Sequence, residues 1–161
     1  MWNQRAGRFY VGTLNDGVTP NRPFKPEDVN SWSYLAFQNP AWAAAPSWDV
    51  TRLAVSKNGF SGVSFCSGDR SGVWFEGTAH LADALELRDQ SGDESQAQTY
   101  LDDIKFAQTN GLNADGLGII AASINGLSDC DGDKYFASLH VGATAWYVMS
   151  TGGANPFVIL P

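Results

Sequence analysis

Apolar side chains recur at three- and four-residue intervals in five stretches of the chain, and they alternate with small residues in shorter ones. The first helical stretch opens at Pro26, whose fixed φ suits a first turn, and Val29, Trp32, Leu35 and Ala36 carry the spacing as far as Phe37. Asn39-Pro40 stops it. Glu27 and Asp28 fall where the positive end of the helix dipole favours acids, and capping is the expected role of both. A second, short helix is expected over 48–57, ended by Asn58-Gly59. Residues 60–65 read as a strand or extended loop, and Asp69-Arg70-Ser71-Gly72 as a tight turn. The third helix covers 75–88. The fourth, 94–110, is the best marked: Asp93 caps it, Gln96 completes a box-like pair and Gly111 closes it. Ala97, Tyr100, Leu101, Ile104 and Ala107 form its buried stripe. A Gly- and Asp-rich loop follows, broken by the apolar run Ile119-Ile120-Ala121-Ala122, before a last helix over 138–150 that ends at Gly152-Gly153. Ahead of all five lie a short extended piece, 8–13, and an Asn15-Asp16-Gly17 turn. The pattern therefore predicts a mainly α fold of stacked helical hairpins with long Gly- and Trp-rich loops, in one domain over 1–161. Loops of that length in a compact domain are usually functional.

Composition narrows the ligand. The chain has 161 residues, 43% of them hydrophobic, enough for a real core. Charged residues make up only 17%, while aromatics reach 12% with six Trp. A surface of Asn, Ser, Thr, Gly and Trp suits neutral polar ligands, of which carbohydrate is the obvious class. The formal net charge of −7 repels phosphate backbones, so nucleic acid is not an expected partner. No stretch approaches the ~18 apolar residues that span a bilayer, so no membrane partner is expected. Cys66 and Cys130 each lie in a polar loop, where one disulfide or two free thiols are both open.

The most informative segment is Gly72-Val73-Trp74-Phe75-Glu76-Gly77-Thr78-Ala79-His80. At 100° per residue, Glu76, His80 and Asp83 fall within an arc of about 60° on one helix face. Glu76 stands in the first turn beside Trp74 and Phe75, where partial desolvation would raise a carboxyl toward the general-acid range. Alternatively Glu76 only complements the helix dipole, with His80 and Asp83 as a solvated stripe. A second acidic site is Asp129-Cys130-Asp131-Gly132-Asp133. Its spacing departs from the EF-hand order, so no metal is expected; a polar turn that caps backbone amides and a catalytic carboxylate at Asp131 remain open. Glu27-Asp28 is the third, with Asp28 a further candidate carboxylate. Among the tryptophans, Trp32 and Trp146 sit at helical spacing and are expected inside; Trp42, Trp48 and Trp74 are loop-borne and suit stacking on sugar rings. Nucleophile elbows, Walker loops and dinucleotide fingerprints are absent from the sequence, and no cofactor is expected.

These residues carry a resemblance. Trp74-Phe75-Glu76-Gly77-Thr78-Ala79, opening a helix, looks like the Glu-Gly helix start of six-hairpin (α/α)-toroid glycosidases. The run Tyr135 to Tyr147, with Thr144-Ala145-Trp146-Tyr147, is similar to a late toroid helix, and Pro26 to Ser33 resembles a hairpin start in secreted bacterial members. The resemblance implies a glycoside hydrolase-like protein that acts on or binds a polysaccharide in an acidic, Trp-lined cleft. Glu76 would be the general acid. Asp131 or Asp28 would activate water or stabilise the cation-like transition state. Trp74, Trp42, Trp48, His80, Asp83 and His140 would contact sugar. A complete six-hairpin toroid needs roughly twice this length, judging by ~40 residues per helical repeat. A C-terminal half is therefore expected, its open edge covered by a second copy or by a missing N-terminal half. The resemblance also implies a secreted or extracytoplasmic protein. A non-catalytic carbohydrate-binding or scaffold domain that has lost the chemistry is the alternative.

Overall fold

The computed structural model describes residues 1–158, and among these the chain forms five α-helices and three two-stranded ribbons. The helices are α1 (Asp28–Phe37), α2 (Ala44–Leu53), α3 (Phe75–Arg88), α4 (Asp93–Asn110) and α5 (Val141–Thr151). The antiparallel ribbons pair β1 (Trp2–Asn3) with β2 (Arg8–Phe9), β3 (Ala54–Lys57) with β4 (Phe60–Val63), and β5 (Leu127–Ser128) with β6 (Lys134–Tyr135). Helices dominate as expected, but the architecture is mixed at its edges.

Helix α3 is the centre. Every residue from Gly77 to Leu85 is buried, because its faces meet α4, α5, α1 and α2 in turn. Such all-round burial explains its Ala-rich sequence: Ala79, Ala82 and Ala84 let neighbouring helices approach closely, while Phe75, Leu81 and Leu85 fill the space between them. α4 follows α3 as an antiparallel hairpin and buries the predicted stripe of Ala97, Tyr100, Leu101, Ile104 and Ala107. Its start differs from the expectation. Gly92 occupies the cap position, and the Asp93 carboxylate instead takes a bidentate contact from Arg88, 2.8 and 2.6 Å.

Two other boundaries move. The helix expected over 48–57 begins earlier, at Ala44, and breaks at Ala54, whose ψ of 132° turns the chain into β3. Asn58 and Gly59, at φ 57° and 82°, do not end a helix but form the two-residue turn of the β3–β4 hairpin. Asn-Gly is the strongest short hairpin signal, and here it outweighs helical spacing. The last helix begins at Val141, not at residue 138, because 138–140 are drawn into extended pairing with the apolar run at 119–122. No helix among the described residues is long and apolar enough to cross a membrane.

Cys66 and Cys130 are disulfide-bonded, joining the end of the β4 strand region to the Asp-rich loop 64 residues later. Gly68 leaves room for the bridge, since a Cβ there would lie 2.8 Å from the Cys130 sulfur. On the outer side, Leu139, Val141 and Val148 expose 48%, 86% and 62% of their surface, so one face of α5 is an open apolar strip.

Candidate functional site

The buried run Ile119-Ile120-Ala121-Ala122 decides where the site lies. On one side Phe75 N–H donates to the Ala121 carbonyl (3.1 Å) and Trp74 bridges Ala122, which fixes the start of α3. On the other side Ala121 N–H donates to the Ser138 carbonyl and His140 N–H to the Ile119 carbonyl, both 2.9 Å, which fixes the start of α5. The start of α1 is tied into the same layer, since Glu27 N–H donates to the Phe65 carbonyl (2.8 Å). Three helix N-termini therefore converge, carrying Glu27 and Asp28, Glu76, and His140. Helix N-termini attract negative charge, which makes this a natural place to gather carboxylates.

Glu76 projects from the first turn of α3 across to α5. Its Oε2 lies 3.3 Å from His140 Nδ1, and its Oε1 lies 3.9 Å from His80 Nε2. His140 is the N-cap of α5, and Nδ1 also accepts the Ala143 N–H at 3.2 Å. Two glycines shape the surroundings of Glu76. A Cβ on Gly142 would lie 2.6 Å from Glu76 Oε2, so α5 can approach the carboxyl only without a side chain there. A Cβ on Gly77 would lie 2.1 Å from the Trp74 ring and 3.0 Å from Glu27 Oε2. The Glu-Gly pair is therefore a packing requirement as well as a motif.

Behind Glu76 lies a fully buried pair. His80 Nδ1 is 3.1 Å from Glu27 Oε2, and Ser31 donates its hydroxyl to the other Glu27 oxygen. Burial pushes Glu27 well above the usual carboxyl range, opposed by the Ser31 hydrogen bond and reinforced by Glu76. Desolvation pulls His80 down to about 3, against the pull of Glu76 and Asp28. A raised carboxyl and a lowered imidazole both disfavour a charged pair here. A proton held on the Glu27 side puts the remaining ring hydrogen on His80 Nε2, a buried nitrogen that has no hydrogen-bond partner and faces Glu76. Asp28, half-buried at the first position of α1, is pushed up to about 6 by burial and by Glu27, with His80 opposing. Asp83, one turn deeper on α3, is pushed up to about 7, chiefly by burial.

Aromatic rings enclose this cluster. Trp146, Trp32 and Trp74 stand edge-on to the His80 ring at 4.2, 5.2 and 5.3 Å between centroids. Trp32 stacks on Trp146 at 6.3 Å and stays 38% exposed, contrary to the interior place its spacing suggested. Tyr135 lies over Trp74 (5.4 Å) and near His140 (6.3 Å); its hydroxyl is pushed above the usual range by burial, then by Glu76 and Asp28.

Of the sequence candidates, Glu76, Asp28, His80 and His140 come together and Asp83 lies just beneath them. His80 and Asp83 are buried, so they support the site from behind and have no face for a sugar. Trp74 is also buried, at 2% exposure, and works as a wall under Tyr135. Trp42 packs against Trp2, Phe9 and Phe37, and Trp48 lies under the Arg8 guanidinium; both pack against the N-terminal ribbon, away from Glu76. Asp131 is exposed in the disulfide loop. Beside it, the Asp129 carboxylate accepts the N–H groups of Asp131, Gly132 and Asp133, which is the amide-capping turn. Among the described residues no three His, Cys, Asp or Glu side chains are grouped to hold a metal ion. Glu27, Tyr135, the exposed Trp32 and Gly142 were not legible as site residues.

Comparison with protein-family models, with curated proteins and with solved structures finds no match to this chain. The case for function rests on the chemistry of the site.

Proposed function

We propose that this chain is part of a glycoside hydrolase-like protein, its five helices belonging to a larger (α/α) toroid whose glycan lies over the convergence of the three helix N-termini. Glu76 gives its proton to the leaving glycosidic oxygen. Asp28, which burial holds near pH 6, takes a proton from the attacking water or steadies the developing cation. The exposed ring of Trp32, one turn after Asp28, is the surface on which a pyranose stacks. Glu27 and His80 hold a proton in the layer beneath and orient Glu76 from behind. The observation that carries the reading is that Glu76 and Asp28, from separate helices, both act on one buried histidine under an exposed tryptophan. Two carboxyl groups in unlike surroundings are what acid–base cleavage of a glycoside uses.

A second reading is favoured by one contact. The approach of Glu76 to His140 occupies the carboxyl, as in a domain that binds glycan without cutting it. The Cys66–Cys130 bridge supports an oxidising, extracytoplasmic setting under either reading. Incubating the chain with a panel of neutral and acidic polysaccharides and assaying new reducing ends tests the proposal. Release by the wild type and none by E76Q supports hydrolysis, binding without release favours the second reading, and neither binding nor release contradicts both.

A further inference from the structure

Four of the ten Lys and Arg residues line one cavity of about 570 Å³ beside the N-terminal ribbon. Arg8, Lys25, Arg52 and Arg70 surround it with Trp48, Ala6 and Ser67, and no carboxylate lines it. We infer that this cavity is a binding site for an oxyanion-bearing ligand, a carboxylate, sulfate or phosphate group held by the guanidinium and ammonium groups with its carrier resting on Trp48.

The concentration of charge is built, not incidental. The cations come from four separate segments: β2, the strand-like stretch before α1, the last turns of α2, and the turn before α3. The Pro26–Cys66 bridge and the Ser67 N–H to Lys25 carbonyl bond set Lys25 beside Ser67. Trp48 and Arg52 are one helical turn apart on α2 and so share a face. Arg70 is anchored by a donor bond to the Ala54 carbonyl, 2.5 Å. Arg8 is buried, gives one N–H group to the Phe9 carbonyl (2.8 Å) and one to the Arg22 carbonyl (3.4 Å), and lies over the Tyr10 and Trp48 rings at 5.1 and 5.5 Å. That leaves donors of its five-donor fork uncommitted.

Among the described residues none of the four has a carboxylate oxygen within 4.0 Å, whereas Arg88 elsewhere is fully paired with Asp93. Asp49 lies behind Arg8 and offsets its charge at longer range, but it is buried and turned to Asn30. In a chain of net charge −7, four cations without a carboxylate partner in one hollow create a local positive field that favours an anion. Guanidinium forks beside an indole suit a planar or tetrahedral oxyanion on a flat carrier.

The test is titration calorimetry of the whole chain with glucuronate, glucose and inorganic sulfate at low salt. Glucuronate binding that glucose lacks supports the site and identifies an acidic sugar. Sulfate binding alone supports it as a site for a free inorganic anion. R52S and K25S change surface side chains and should each weaken binding about ten-fold, with unaltered thermal unfolding. E76Q should bind as the wild type does, which separates this site from the proposed catalytic one. No saturable binding by either anion, or affinities unmoved in R52S and K25S, overturns the inference.

Discussion

Glu27 and His80 lie 53 residues apart in sequence and meet at 3.1 Å with neither side chain touching solvent. A single polar contact thus joins the start of α1 to the middle of the central helix. Because both partners are buried, removing one strands the other. E27A should lower stability by about 2 kcal/mol or more, the usual penalty for an unpaired buried polar group. E27Q, whose amide can still donate to or accept from the ring, should retain most of it. Urea unfolding of the two variants separates these outcomes, and equal losses would mean that the contact itself contributes nothing.

Gly142 makes a sharper test of how Glu76 is placed. An alanine there would press on the carboxyl at 2.6 Å, and the end of a flexible side chain gives way more readily than backbone. G142A should therefore leave thermal stability equal or slightly higher, since Ala is the better helix former. If Glu76 is the proposed proton donor, turnover should nevertheless fall on the order of ten-fold or more, because its carboxyl is displaced. Loss of stability in step with activity would indicate a folding defect instead.

The buried acids set a pH dependence whose sign can be worked out. Asp28 and Asp83 are held at about 6 and about 7, above their usual 3.8, so the folded chain binds their protons more tightly than the unfolded one. Their stabilising contribution is complete below about pH 4 and is lost as pH rises through 6 and 7. His80, held down to about 3, acts oppositely: its contribution is complete above its usual 6.5 and is lost as pH falls toward 3. D83N removes one of the first kind. Its unfolding midpoint, measured from pH 5 to 8, should decline less with rising pH than that of the wild type. Parallel curves would show that Asp83 keeps an ordinary carboxyl in the folded chain.

The disulfide closes a long loop. By the chain-entropy relation, a 64-residue separation corresponds to about 4 kcal/mol of stabilisation. The C66S/C130S double variant should lose roughly 2–4 kcal/mol in denaturant unfolding, and reduction of the wild type should reproduce that loss. A double variant as stable as the wild type would mean the unfolded chain is already constrained there.

Much of the helical skeleton was legible because apolar spacing dictates it: α1, α3 and α4 end within a residue or two of the pattern. The hairpin after α2 was not, since its strands are only four residues long and Asn58-Gly59 follows a stretch of helical spacing that it also could have ended. At the site, Glu76 stood out through its position at a helix start, and His80 and Asp83 through their shared face. Which of them would face solvent depended on α5 and α1 closing over α3, a long-range event that local spacing does not encode. For the same reason Glu27 read as a dipole-complementing acid, although the fold turns it inward onto His80. The tryptophans show the limit most clearly. Loop-borne Trp74 is buried because Phe65 and Tyr135 cover it, while helical Trp32 is left exposed at the edge.

The central claim is that Glu76 is the proton donor in a glycan-cleaving site. The most direct measurement compares wild type and E76Q on one substrate from the polysaccharide panel, reading turnover by reducing ends and affinity by calorimetry. Turnover should fall by at least about a hundred-fold with affinity nearly unchanged, since the amide keeps the shape and loses the proton. Turnover that survives the substitution would contradict the claim.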